Sequence, residues 1–318
     1  MQYSPVLRRR IDSVLLNLPG LRHATYINSF AAVHEEERVI STLHNVRSFH
    51  ARDARDRVYA QYEQLHGHAM RYEDDEKFCP VFQLAYPDYK KPIEVLFTEI
   101  ASYLIDVEGP RALAYIEHPA PDNDGVGDTL EDASGTQRFP SWVPRWDQPQ
   151  MCPAFPNISD YLDPLTGNIA PAMNHKPKHV RFATDENLWT LGLEGSRQDI
   201  VAATATVAEA FALQRTAMER ITASLNASYI NGTQLDTDKY LAGRKALWTG
   251  SGLARLGPSL ARPGDIICVF TGCNREFVLR QRIDGTYLFV GQCFFDGAIK
   301  QYEHRERLKA KSVPFVIR

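Results

Sequence analysis

Apolar residues in the first third of the chain recur every three or four positions. Leu7, Ile11, Val14, Leu15 and Leu18 form one such stripe, which Pro19-Gly20 stops. Val39, Leu43 and Val46 mark a second helix, and Val58, Tyr62 and Leu65 a third. Asp53 is placed to cap that third helix, and Asp56 sets negative charge near its positive end. In the fourth, Pro92 takes the first helical position, Ile93, Leu96, Phe97, Ile100 and Leu104 share a face, and Gly109-Pro110 ends the run. Stripes of this kind are core contacts.

The pattern then stops. Residues 117–179 hold ten of the 19 prolines and show almost no periodicity, which excludes regular structure over most of that length. Asp122–Asp128 and the residues after it, to about 135, have the polar composition of an exposed, mobile loop tip. Phe139–Asp147 differs: two tryptophans, Trp142 and Trp146, are expensive to leave wet, so that piece is expected to be ordered and packed onto the body.

Short β patterns fill the last third. Val180–Thr184 and Leu188–Glu194 flank a turn at Asp185–Asn187, and Ile200–Val207 is a further strand. One helix follows, with Phe211, Met218, Ile221 and Leu225 on a face. Asp265–Thr271, Phe277–Arg282 and Tyr287–Phe295 predict a three-stranded antiparallel meander. Its second turn carries Asp284-Gly285, a dipeptide suited to positive φ. Ile266, Ile267, Val269 and Phe270 are apolar on both faces, so the first strand of the meander is central.

The fold class is therefore α+β: a helical region over 1–116, a proline-rich linker over 117–179, and an antiparallel β-rich region over 180–318. The last of these is a small sheet or partial barrel with one or two helices, and the N-terminal helices are expected to pack on it as one body. A length of 318 residues supplies enough core without a disulfide or metal. The net charge of −3, from 36 basic and 39 acidic residues, argues against a general nucleic-acid binder. No apolar run reaches a membrane span, and Asn17 breaks the short apolar stretch after Arg8-Arg9-Arg10. Five scattered cysteines read as reduced thiols of the cytoplasm, which leaves the sequons at Asn157, Asn226 and Asn231 as chance matches.

Templates for catalysis and metal binding fail. Cys268 and Cys273 flank a hairpin turn but read as buried core thiols. His66 and His68 point to different helix faces, and Pro177 forbids the helix that would pair His175 with His179. Gly125-Val-Gly127 lacks the third glycine of a dinucleotide fingerprint. The Asp122, Asp124, Gly127 run misses two calcium ligands, and Gly250-Ser251-Gly252 is no nucleophile elbow. No cofactor or metal is therefore expected. Arg52, Asp53, Arg55, Asp56 and Arg57 form a dense charge cluster, either a solvated helix start or a clamp between elements or onto a partner.

Several short motifs, in order, resemble one family. Arg52-Asp-Ala-Arg-Asp-Arg-Val-Tyr-Ala60 is similar to the charged motif that follows the signature domain of fungal heterokaryon incompatibility (HET) proteins. Tyr86-Pro-Asp-Tyr89 with Val95–Leu104, then Pro140–Asp147, resemble the family's next two elements. Gly243-Arg244, Thr249, Gly252, Gly257-Pro258, Arg262–Phe270, Phe277–Arg280 and Tyr287–Gly297 complete the series. The elements of the HET domain proper, the half associated with cell death, are absent. The chain thus resembles the portion downstream of that domain, as in a truncated paralogue, an incomplete gene model or a relative with another job.

The resemblance implies a non-catalytic protein of non-self recognition or its regulation. It would work by protein–protein contact, with another HET-type protein as partner, through a helical face or an unpaired edge strand such as Tyr287–Phe295. The alternative is an enzyme or accessory protein acting on a small molecule in fungal secondary metabolism. Its pocket would lie between sheet and helices, walled by Trp142, Trp146 and Trp248, with Arg145, Asp147 or His179 as polar groups.

Overall fold

The structure is a computed structural model. It describes residues 38–61, 86–118, 139–149, 152–155, 181–185, 188–226, 229–230, 233–234, 236–273, 275–295 and 312–318. The chain divides into a unit of residues 1–38 and a unit of residues 39–318, and the described part, Arg38 apart, is the second. The expected helix at 7–18, the turns of the third helix at Tyr62 and Leu65, and the loop tip at 122–135 lie outside the described residues.

Among the described residues the helical part begins with α1 (Arg38–Asn45), continued by a 3-10 turn at Val46–Ser48, and α2 (Asp56–Tyr59). The 16-residue α3 (Ile93–Glu108) follows and runs into a 3-10 stretch at Gly109–Tyr115. Pro92 is the residue before α3, with extended ψ of 143°, one place earlier than its expected position. Gly109 stops α3 at φ 72°, a backbone angle that disfavours any side chain.

The strands are β1 (Arg181–Asp185), β2 (Leu188–Thr206), the short pair β3 (Tyr229–Ile230) and β4 (Thr233–Gln234), and β5 (Arg244–Thr249). Then come β6 (Ala254–Pro258), β7 (Ile266–Phe270), β8 (Glu276–Gln281), β9 (Tyr287–Phe295) and β10 (Val313–Ile317). Helices α4 (Val207–Leu213), α5 (Arg215–Asn226) and α6 (Thr237–Leu241) sit between β2 and β5. A capping box, Thr206 with Glu209, starts α4. The single helix expected here is two, because Gln214 leaves the helical region at φ −139°.

Pairing runs β2–β5–β6–β9–β8–β7 and returns from β7 to β2, so six antiparallel strands form a closed ring. β1 and β10 both pair the first part of β2. The meander expected over 265–293 is β7–β8–β9, with Asp284-Gly285 at its second turn. Two expectations are corrected. The strands at 188–194 and 200–207 are one 19-residue strand, whose polar middle, Ser196–Asp199, pairs with β7. β9 is also no edge: it pairs β8, β6 and, at Tyr287, β10, because the ring closes on itself.

Side chains alternate across the ring, as the two-residue period of a strand requires. Val201, Leu247, Ile267, Val278, Leu288, Val290 and Cys293 form one cluster, drawn from five of the six strands, that fills the interior. Facing outward, Phe277, Leu279, Phe289, Cys268 and Phe270 join Leu43, Val58, Leu96, Phe97, Ile100 and Leu104 of the helices. Elsewhere on the outside, Ala246, Leu256 and Phe294 meet Met218, Ile221 and Leu225 of α5. The N-terminal helices thus share a core with the ring. No helix among the described residues is long and apolar enough to cross a membrane.

Candidate functional site

Three motifs far apart in the chain meet at one place. The Arg55 guanidinium donates to the carbonyls of Tyr89 (2.6 Å) and Lys91 (3.0 Å), while its other edge grips Asp53 at 2.9 and 2.6 Å. That grip holds the Asp53 carboxyl below its ordinary range. It also explains why Asp53 bonds the amide of Arg55 rather than capping α2 from the expected position. The Tyr59 hydroxyl donates to the Asp88 carbonyl, and the Tyr89 hydroxyl to Asp56. Arg57 spans the carbonyls of Phe49 and Trp146, both at 3.0 Å. The charge cluster is therefore a clamp between elements.

The segment 139–149 is held the same way. It is irregular, so its carbonyls have no ladder to join and need donors from side chains. Arg47, 2% exposed, donates to the carbonyls of Gln148 and Pro149 and pairs with Glu117 at 3.4 Å. Trp142 and Trp146 are 0% and 1% exposed, with the Trp146 ring edge-on to Phe97 at 5.2 Å. The Ser141 hydroxyl takes the amide of Phe289 in β9 (2.8 Å) and donates to the Arg318 carbonyl. Arg145 forks onto Asp147 at 2.8 and 2.6 Å and lies 4.4 Å over the Phe139 ring.

Of the candidate pocket or contact residues, Trp142, Arg145, Trp146 and Asp147 lie together, the two indoles buried and the Arg145–Asp147 pair partly exposed. Trp248 lies in the other outer cluster, half-buried, its indole donating to Gln214. His179 lies outside the described residues, as do His66, His68, His175, Asp122 and Asp124.

Inside the ring the chemistry is also used up. Arg255 and Glu276, each 1% exposed, pair at 2.6 Å with Cys293 beside them at 3.9 Å. Arg280 pairs with Asp265 at 3.0 Å and donates to the Leu260 carbonyl. Glu276, Val278 and Arg280 are alternate residues of β8, so the interior is stacked as ion pair, apolar layer, ion pair. Burial pushes the thiols of Cys268 and Cys293 well above their ordinary value and that of Cys152 up to about 12, which leaves them protonated and unreactive. The four described cysteines are thiols rather than halves of a disulfide.

Two imidazoles stand apart. His44 is 5% exposed, neither ring nitrogen has a partner among the described residues, and Tyr115 meets its ring edge-on. Burial and then the Arg47 charge lower it to about 3. His118 is lowered by burial to about 4, against hydrogen bonds to the backbone of Phe289 and Ser141 that raise it. A cleft of ≈ 80 Å³ lies between α5 and the β5–β6 turn, lined by Gln214, Ala217, Ile221, Gly252, Leu253 and Ala254. Small-molecule sites take about 300–1,000 Å³. No group of three metal-ligating side chains converges among the described residues.

The sequence reading missed Arg47, Ser141, Arg244, Arg255 and Glu276 as organising residues. The available signal was Glu276 and Arg280 spaced within an otherwise apolar strand, where buried charges must pair. Residues 186–309 match the family model of the Het-6 beta-barrel domain, a domain of heterokaryon incompatibility proteins. The resemblance drawn from the motifs is thereby borne out. Neither a curated protein nor a solved structure matches the chain.

Proposed function

From the premise that its C-terminal part carries a Het-6 domain of the heterokaryon incompatibility family, we propose that this chain acts by contact in fungal non-self recognition or its regulation. The observation that carries this is a domain match on a ring whose interior is already filled. Ion pairs close off an apolar layer, and burial holds the Cys293 thiol inside the ring in its protonated form. A filled ring suits a rigid platform that presents surfaces, and a catalytic site needs a concave one. The partner in this reading is another HET-type protein, met in the cytoplasm.

Two measurements in a fungal host test it. Inducible expression of the chain alone is expected to leave viability staining unchanged, since killing in this family belongs to the HET domain. Deleting the gene is expected to abolish or alter the fusion barrier between at least one pair of incompatible strains. Rapid death on expression, or unchanged barriers in every pairing after deletion, overturns the reading.

A further inference from the structure

Ile283, at the tip of the β8–β9 hairpin, is 110% exposed, more than any other large apolar side chain described. Its turn is closed without it. The Gly285 amide donates to the Arg282 carbonyl, the Arg282 amide to that of Thr286, and Asp284 accepts from the Thr286 amide and hydroxyl. The flanking charges are paired as well, with Arg282 and Arg318 at 4.0 and 3.3 Å from Asp284. A single apolar residue exposed on a helix or strand is ordinary. A β-branched residue projecting from a turn is not, since turns take Gly, Pro, Asn, Asp or Ser and the side chain adds nothing to this one.

The same chain holds a recess of matching size. The cleft of ≈ 80 Å³ between α5 and the β5–β6 turn is far too small for a metabolite. One water needs about 10–15 Å³, so the cleft takes several waters or one branched aliphatic side chain. Ala217 and Ile221 of α5, with Leu253 and Ala254, supply its apolar walls. Apolar surface continues beside it: Leu213, the residue before Gln214, is 75% exposed, and half-buried Trp248 donates its indole N–H to Gln214. At Gly252 a Cβ would meet nothing within 4 Å, which leaves the approach open on that side.

Tip and cleft lie at opposite ends of β9. Its first residue, Tyr287, pairs Gln281 beside the hairpin, and its last, Phe295, pairs Arg255, the neighbour of Ala254. Nine residues of strand put roughly 25 Å between them, so a chain cannot seat its own tip in its own cleft. A projection at one end and a recess at the other make a heterologous contact. Each copy gives its tip to one neighbour and its cleft to another, and association continues past the dimer.

We propose that copies of this chain associate head to tail, the Ile283 tip of one seated in the cleft between α5 and the β5–β6 turn of the next. This goes beyond contact with another HET-type protein and stands on these two surfaces alone.

Sedimentation velocity on the full chain, over a concentration series up to about 1 mM, reads the association. The wild type is expected to show a weak, concentration-dependent series that extends beyond the dimer. Ile283→Asp, at a position where the fold loses no contact, should lower the association constant at least about tenfold, because the isoleucine no longer leaves water. Ala217→Arg, which fills the cleft with a charged side chain, should do the same. Leu253→Asp takes its place if circular dichroism shows that variant unfolded. Each variant keeps one half of the contact. Mixed in equal amounts, the cleft of the Ile283→Asp protein receives the tip of the cleft variant, and association stops at the dimer. A wild type that stays monomeric throughout, or a series that ends at the dimer, overturns the proposal. So does Ile283→Asp that associates as the wild type does, or a mixture of the two variants that forms no dimer.

Discussion

Arginine does in this protein what a β-ladder does elsewhere. Arg47, Arg55 and Arg57 satisfy carbonyls of irregular segments in the helical part, and Arg244, Arg275 and Arg280 do so around the ring. The planar fork holds its donors in fixed directions, so it reaches two acceptors with less ordering per bond than lysine's rotatable ammonium. Ser141 is the neutral counterpart, and it carries a sharp expectation. Replacing it with Ala removes the acceptor of the buried Phe289 amide and should cost about 1–3 kcal/mol, read as a lower urea midpoint with unchanged slope. An unchanged midpoint would show that Ser141 does not hold the segment to β9. The burial of Trp142 and Trp146 was legible in the sequence, since exposed indoles waste apolar area. The roles of Arg47 and Ser141 were not, because their partners are backbone atoms, which every residue has and no motif marks.

At the scale of elements, local pattern identified strands better than their connectivity. The meander was legible from its alternation and from Asp284-Gly285. The continuity of β2 was not, since Gly195-Ser-Arg-Gln-Asp199 has the composition of a turn. Register shifts at Arg197/Asp199 and Val201/Ala203 let the strand bend from β7 toward β5. Gly195 is required for that approach: a Cβ there would lie 2.5 Å from the Val269 carbonyl oxygen and 3.0 Å from the Phe270 Cα. Backbone cannot yield as a side-chain tip can. Gly195→Ala should therefore destabilise by about 1–3 kcal/mol. Gly250→Ala, whose Cβ would meet nothing closer than 3.5 Å, should change stability far less. Thermal melts of the two variants side by side check this, and equal shifts would refute the close approach as the cause. Ring closure was equally hidden, because it depends on which strand meets β2 at each end of its length. That is why local pattern alone makes β9 look like an edge.

At the scale of the molecule, the helices and the ring share one core, and the acid response of that core follows from its imidazoles. Folding holds His44 at about 3 and His118 at about 4, whereas an unfolded histidine sits near 6.5. Between those values the unfolded chain binds protons that the folded chain refuses, so stability is complete above about pH 6.5 and falls as the pH drops. Each imidazole contributes a slope of up to about 1.4 kcal/mol per pH unit in that window. Arg47 opposes protonation of both rings and Arg145 that of His118, so the charges facing them reinforce the effect of burial. The total falls within reach of a domain stability of about 5–15 kcal/mol, so partial acid unfolding is expected above the range where carboxylates titrate. His44→Phe tests the assignment without leaving a polar orphan, since neither ring nitrogen has a partner to lose. At pH 7 the variant should unfold at nearly the wild-type urea concentration. Between pH 6.5 and 5 its stability should fall less steeply than the wild type's, by about 1.4 kcal/mol per pH unit. Parallel pH dependence in the two proteins would locate the acid sensitivity elsewhere, with His118 and its seam against Ser141 and Phe289 as the next place to look.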